Sequence, residues 1–147
     1  MRSKKAVPGI DYVGVGVVFW CHDGKGKVVL HKRSQNCRDN RGRWDCGGGA
    51  LEVSESLQEA VRREVLEEYC VLPRKIEPLG FREVHQLDDG KNTHWLAFDF
   101  KVLVNKGKVR IGEPKKVDAL GWFTLKTLPK PLHLQFPEFF RKYKGKL

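Results

Sequence analysis

Two hydrophobic rhythms take turns along the chain. From Asp11 to Trp20 the period is two, with Val13, Val15, Val17 and Phe19 pointing one way and Gly14, Gly16, Val18 and Trp20 the other. That pattern predicts a strand. His22–Lys27 reads as a hairpin turn and Val28–Lys32 as the returning strand. Ser34–Arg43 is a polar, basic surface loop, and Trp44-Asp45-Cys46 leads from it into three glycines. The rhythm then becomes helical. Leu57, Ala60, Val61, Val65 and Leu66 make one apolar stripe, and Ser56-x-x-Glu59 is a capping box that starts a helix near Ser54–Ser56. Pro73 ends it, by Cys70.

Alternation resumes over 76–87 and 93–104, a hairpin around Asp88-Asp89-Gly90-Lys91. On its second arm Leu96, Phe98, Phe100, Val102 and Val104 share one face, and Trp95, Ala97, Asp99 and Lys101 the other. Lys106–Gly112 reads as a basic turn and short strand, and Val117–Thr124 as a further strand. Phe136–Tyr143 reads as a final helix, with Pro137 in its first turn and Phe136, Phe139, Phe140 and Tyr143 packing inward.

With 147 residues the chain is sized for one domain over 1–147 with a sizeable core. Its 40% apolar and 31% charged residues describe a soluble globular protein rather than a disordered one. No apolar run approaches a membrane span, and no apolar segment follows the basic start MRSKKAVPG, which points to the cytoplasm and to no membrane partner. Cys21, Cys37, Cys46 and Cys70 include no C-x2-C pair, so they read as four reduced thiols rather than a zinc site. A net charge of +10, with basic runs at Arg2–Lys5, Lys106–Lys116 and Arg141–Lys146, draws anions to the surface. Nucleotides, polyphosphates and RNA all qualify, and charge alone does not choose among them. Nor does it choose between monomer and homodimer.

The chemistry is concentrated in Gly47–Val71, GGGALEVSESLQEAVRREVLEEYCV. On a helix Glu64 lies three and four residues from Glu67 and Glu68, so the three carboxylates share a face. Like charges crowded into one turn call for a counter-charge, and a hard divalent cation with oxygen ligands supplies it. The plain alternative is a solvated face laced with pairs such as Glu59–Arg63 and Arg63–Glu67. The two glycines at 14 and 16 carry two readings as well: tight packing against a helix, or floor space for a base or sugar. Trp95 reads either as a surface for stacking a base or as a cross-strand partner.

Gly49, Glu55, Arg63-Glu64-Val65, Glu67-Glu68 and Val71 resemble the signature of the Nudix hydrolase family, Gly-x5-Glu-x7-Arg-Glu-U-x-Glu-Glu-x-Gly-U with U apolar, at eight of nine positions. Cys70 stands where the family has its second glycine, and Cys46 where a proline often sits. The resemblance implies an α/β/α sandwich, a mixed sheet between the acidic helix and the C-terminal helix, with a short helix over Leu125–Leu128. It implies Mg²⁺-dependent hydrolysis, with Mn²⁺ as a substitute, of a nucleoside diphosphate joined to a further group. The small MutT type, which turns a (d)NTP into NMP and pyrophosphate, is the nearest pattern. ADP-ribose or nucleotide-sugar cleavage, removal of pyrophosphate from RNA 5′ ends, and a non-catalytic nucleotide-binding module are the alternatives. By the same resemblance Gly48, Glu55, Glu64, Glu67, Glu68 and Glu113 hold metal, with Asp118 in reserve for Glu113. Glu64 and Glu67 do the chemistry, Arg63 orients carboxylates, and Gly14, Gly16, Arg33, Arg43 and Trp95 serve the substrate. A cysteine at 70 must adopt a left-handed conformation that a glycine takes without strain, which leaves the helix stop open.

Overall fold

The computed structural model describes residues 4–88 and 90–147, so Arg2 in the first basic run and Asp89 in the hairpin turn lie outside the described residues. In chain order the elements are β1 (Gly14–His22), β2 (Val28–Arg33), β3 (Trp44–Asp45), β4 (Gly48–Ala50), α1 (Leu57–Tyr69), β5 (Lys75–Asp88), β6 (Lys91–Leu103), β7 (Val117–Phe123) and α2 (Phe136–Tyr143). One mixed sheet contains all seven strands. β1 lies parallel to β6, in register from Gly14↔Trp95 to His22↔Leu103, and β6 pairs antiparallel with the edge strand β5.

On its other side β1 meets β2 at His22↔Val28 and then parts from it. The segment 44–50 fills the split, with β3 pairing to β2 and β4 to β1. β7 completes the sheet along the far edge of β2. A glycine-rich segment is thereby held in the middle of a sheet, with its main chain close to the face that α1 covers.

Both faces of the sheet are covered, as the resemblance implies. Val17, Phe19, Cys21, Phe100, Val102 and Val104 pack on Ala60, Val61, Val65 and Tyr69 of α1. Trp20, Leu30 and Cys46 pack on Phe136, Phe139 and Tyr143 of α2. All four cysteines are free thiols, and only Cys70 is exposed. Among the described residues no helix is long and apolar enough to cross a membrane.

Four local expectations change. The first strand begins at Gly14 rather than Asp11, because residues 7–12 fold into a turn in which the Ile10 and Asp11 N–H groups donate to the Val7 carbonyl. Leu66 is exposed, and Tyr69 takes its place on the buried stripe. Lys106–Lys108 is a single 3-10 turn capped by the Asn105 side chain, with no strand after it. Leu125–Leu128 is a turn and not a helix, closed by the Thr127 N–H donating to the Thr124 carbonyl. In both basic and threonine-bounded turns, short polar side chains satisfy the backbone locally and a longer element gains nothing.

Candidate active site

α1 begins where Ser56 Oγ accepts the Glu59 N–H at 3.1 Å, and it ends at Cys70, which is left-handed at φ 59 and donates its N–H to the Leu66 carbonyl. The carboxylates of Glu64, Glu67 and Glu68 therefore sit on its last two turns, those of Glu64 and Glu68 against the glycine segment. Gly49 has no room for a side chain, since a Cβ there would overlap the Glu64 carboxylate. At Gly47, left-handed with φ 116, a Cβ would stand 2.6 Å from Glu68 Oε2. Glycine is what lets the main chain press directly on two carboxylates.

Arg63 organises the exposed side of this cluster. Its Nε and Nη2 donate to the two oxygens of Glu55 at 2.7 and 3.0 Å, Nη1 donates to Glu64 at 2.6 Å, and Nη2 also reaches the Ala50 carbonyl at 3.1 Å. Glu67 is a marginal partner at 3.5 Å. The carboxylates that Arg63 grips most closely are thus Glu55 and Glu64. Hydrogen bonds from Arg63 hold the Glu55 carboxyl below its ordinary pKa, and Glu55 holds the guanidinium above its own. Glu55 accepts from Arg63 and from the Glu52 N–H.

Glu68 is the odd member. Its Oε2 is buried and has no hydrogen-bond partner. Desolvation, followed by the charges of Glu64, Asp45 and Glu113, pushes its pKa well above the ordinary carboxyl value. Burial does the same for Glu64, to a lesser degree and against the pull of Arg63. Glu113 belongs to this field: Gly112 donates its N–H to the Glu68 carbonyl at 2.9 Å, which brings the next residue to the helix end. Asp118 is exposed on β7.

Among the described residues no three acidic, histidine or cysteine side chains already converge as a finished metal cage. The parts nevertheless fit a hard cation: a buried carboxylate oxygen without a donor, two further carboxylates on the same turns, and a glycine main chain packed against them.

The peptide ahead of the glycines is fixed by a buried relay. Tyr69 donates its hydroxyl hydrogen to the Cys46 carbonyl at 2.8 Å, so the 2.7 Å contact with His31 Nδ1 requires that nitrogen to carry a proton. Burial lowers the His31 pKa to about 4, so the ring is neutral at ordinary pH. Asp45 accepts the Cys46 N–H at 2.8 Å and the Gln135 amide at 2.9 Å. Its pKa falls to about 2, because His133, Arg33 and His31 outweigh its burial.

From Glu68 a cleft of about 200 Å³ runs between β1, β6 and the 33–39 segment, past Gly16, Gly48, Asp45 and Trp95 to Gln86. Gly14 and Gly16 divide between the two readings. A Cβ on Gly14 would meet the Trp95 ring, so that glycine is a packing contact, with an indole rather than a helix. Gly16 lies under the Gly49 carbonyl and also lines the cleft. Arg33 reaches the cleft while bonded to Asp39 at 2.8 Å. Arg43 does not: its guanidinium donates to the Leu132 carbonyl at 3.2 Å and ties the loop to the segment before α2. The cleft wall also contains Arg38, Gln86, His133 and Gln135, which sequence reasoning passed over. Nothing local in the sequence marks them, since they come from three separate segments.

A model of the NUDIX domain matches residues 12–143. The chain is 30% identical over 97 residues to a Mus musculus protein named 8-oxo-dGDP phosphatase NUDT18, a match covering 65% of this chain and spanning only 28% of that protein. It is 27% identical over 146 residues to an uncharacterized Nudix hydrolase, orf19, of Rhodococcus erythropolis, covering 94% of this chain and 75% of that one. Among solved structures it resembles the MutT NUDIX hydrolase from Burkholderia pseudomallei, with TM-score 0.75, 29% identity and coverage of 88% of this chain and 96% of the other. It also resembles the MutT protein from Methanosarcina mazei Go1, with TM-score 0.72, 27% identity and coverage of 91% and 94%.

Proposed function

The chain belongs to the Nudix family, and on that premise we propose that it is a Mg²⁺-dependent pyrophosphohydrolase of nucleotides that converts a (d)NTP to NMP and pyrophosphate. The observation that carries the reading is the buried, unpartnered Glu68 oxygen beside Glu64, under a glycine segment with no space for a side chain. A carboxylate that accepts the Gly48 N–H but keeps its other oxygen without a donor at that depth is costly unless a cation completes it.

In this reading Glu64, Glu67 and Glu68 hold the metal together with the Gly48 carbonyl, and Glu113 adds charge from the neighbouring loop. A bound Mg²⁺ supplies Lewis-acid polarisation of phosphate oxygens and an acidified water. The chain's residues do the rest. Glu64, oriented by Arg63, accepts the proton of the attacking water as the new P–O bond forms and the anhydride P–O bond breaks. Glu55 acts through Arg63, as a positioning residue rather than a ligand. Arg33 at the cleft meets the charge that collects on the departing pyrophosphate. The four free thiols suit a reducing compartment, in keeping with the cytoplasm.

The test is a panel of dNTPs, nucleoside diphosphates, ADP-ribose, dinucleoside polyphosphates and 5′-triphosphorylated RNA, each with Mg²⁺ and with excess EDTA. Turnover of nucleoside triphosphates that EDTA abolishes is the expected result. Turnover that survives EDTA contradicts the mechanism. Metal-dependent cleavage confined to ADP-ribose or to RNA ends replaces the substrate, and binding without turnover replaces the enzyme with a nucleotide-binding module.

A further inference from the structure

The cleft has a second end, away from the acids. Gln86 and Thr93 face each other across β5 and β6, four residues beyond Ala97, whose partner on β1 is Gly16. At roughly 3.3 Å per residue this places them about 13 Å along the strand from the glycine segment. With phosphates at the acids, a nucleoside reaches this end with its base.

The orientation of Gln86 here is forced. Asn40 is buried and left-handed, with φ 48, and its Oδ1 accepts the Leu134 N–H at 2.9 Å. A backbone amide can only donate, so it fixes which end of the Asn40 side chain is oxygen. The Nδ2 end then faces Gln86 and donates to its Oε1 at 3.1 Å. Gln86 is thereby held by its carbonyl, and its Nε2 donor is the end left for the cleft it lines.

The neighbouring groups show the same polarity. Gln135 is engaged at both ends, Oε1 by Arg82 and Nε2 on Asp45. Asp45 accepts from Cys46 and Gln135, and Asp39 accepts from Arg33. His133 Nδ1 accepts the Gln135 N–H at 3.1 Å, so the neutral ring carries its proton on Nε2. Each of these acceptors has at least one oxygen or nitrogen engaged by the protein's own donors. The donors that line this end are Gln86 Nε2, His133 Nε2 and the Arg38 guanidinium, with the Thr93 hydroxyl able to act either way.

We propose that Gln86, oriented by Asn40, reads the nucleobase and selects bases that present a carbonyl oxygen at that edge (guanine, hypoxanthine, uracil, thymine) over bases that present an amine there (adenine, cytosine). The inference rests on the nucleotide hydrolase reading above. An exocyclic amine against Nε2–H sets donor against donor and leaves both unpaired once water is excluded, whereas a carbonyl completes the bond.

The experiment compares kcat/KM for dGTP with dATP, and for dUTP with dCTP, in the wild type, Asn40→Asp and Gln86→Glu. The wild type is expected to favour the carbonyl base of each pair by roughly tenfold. In Asn40→Asp one oxygen still accepts from Leu134, but an oxygen now faces Gln86. Gln86 then turns its Nε2 to the loop and its Oε1 to the cleft. The preference is expected to invert, although the altered side chain never touches the ligand. Gln86→Glu presents an acceptor directly and is expected to invert it too. The ratio within one protein sample does not depend on how much of it is folded, so a loss of stability cannot mimic the result. Equal handling of both base classes by the wild type, or variants that lower both classes by one factor, would overturn the assignment of Gln86. Absence of turnover on every nucleotide would instead remove the hydrolase reading, and this inference with it.

Discussion

Arg63 and Arg82 each grip a carboxylate with two short hydrogen bonds, and each sits at the end of a helix–sheet contact. Arg82 is almost fully buried, with Asp99 accepting from it twice at 2.7 Å, Gln135 accepting at 2.9 Å, and Tyr143 donating to the same aspartate at 2.7 Å. One positive charge meets one negative charge, and the remaining partners are neutral. The Nη1 that lacks a hydrogen bond belongs to a guanidinium lying over the Phe139 ring, 5.1 Å from its centre. Arg63 is about a quarter exposed and has Glu52, Glu55, Glu64 and Glu67 within ion-pair range, with Glu68 buried just behind. There the balance is negative by several charges. The balanced cluster closes the packing of α2 on the sheet and asks for nothing more. On the proposed reading a cation completes the unbalanced one, and that imbalance is what would separate a functional cluster from a structural one.

Changes that break each cluster should therefore fail differently. Asp99→Ala strands a buried guanidinium and is expected to cost about 3–5 kcal/mol in urea unfolding, while the molecules that stay folded keep their metal-dependent turnover. A cost under about 1 kcal/mol would mean the buried pair is not what holds α2 in place.

Acid should weaken the relay that joins α1 to the glycine segment. His31 has a folded pKa of about 4 against an ordinary 6.5, so the unfolded chain binds its proton first. Its contribution is complete above pH 6.5 and declines as pH falls toward 4, by about 3 kcal/mol from a shift of that size. His22 and His133, also lowered chiefly by burial, act in the same direction. Glu68 and Glu64, raised by burial, act in the opposite direction, so the quantity to follow is the difference between the two proteins: between pH 7 and 4 the unfolding midpoint of the wild type should lose more, or gain less, than that of His31→Gln. An unchanged slope in the variant would remove His31 from the relay.

Arg63→Gln is the counterpart of Asp99→Ala. Stability should move by about 1 kcal/mol or less, because the pairs are partly exposed. Turnover should fall by more than tenfold as Glu55 and Glu64 lose their common anchor, and full turnover in this variant would refute the positioning role. The smallest effect is expected at the helix stop. Cys70 is a non-glycine residue at φ 59, and Cys70→Gly should raise stability by about 1 kcal/mol with activity unchanged. A lower melting temperature would show that the cysteine side chain contributes something the strain conceals.

Much of this was legible along the chain because its causes are local. The Ser56 cap, the 3.6-residue stripe of α1 and the long alternation of β5 and β6 each depend on residues a few positions apart. So does the acidic face, whose three glutamates lie within five residues. What escaped depends on distant pairings. Arg43 looks like a phosphate ligand among basic neighbours, yet its partner is a carbonyl 89 residues away. The bond between Glu55 and Arg63 across the helix start joins residues eight apart, and only the fold shows it. Asn40 and Gln86 are unremarkable polar residues until the loop, the edge strand and Leu134 come together. Leu66 reads as core by period, and the buried stripe closes on Tyr69 instead because its hydroxyl finds the Cys46 carbonyl.

The most direct measurement is a Mn²⁺ titration, followed by electron paramagnetic resonance, of the wild type, Glu68→Gln and Asp99→Asn, with melting curves confirming that each sample is folded. Saturable uptake by the wild type and by Asp99→Asn, weakened at least tenfold in Glu68→Gln, is the predicted result. No uptake by the wild type, or equal affinity in Glu68→Gln, would contradict the claim that the unbalanced acids of α1 form a metal site.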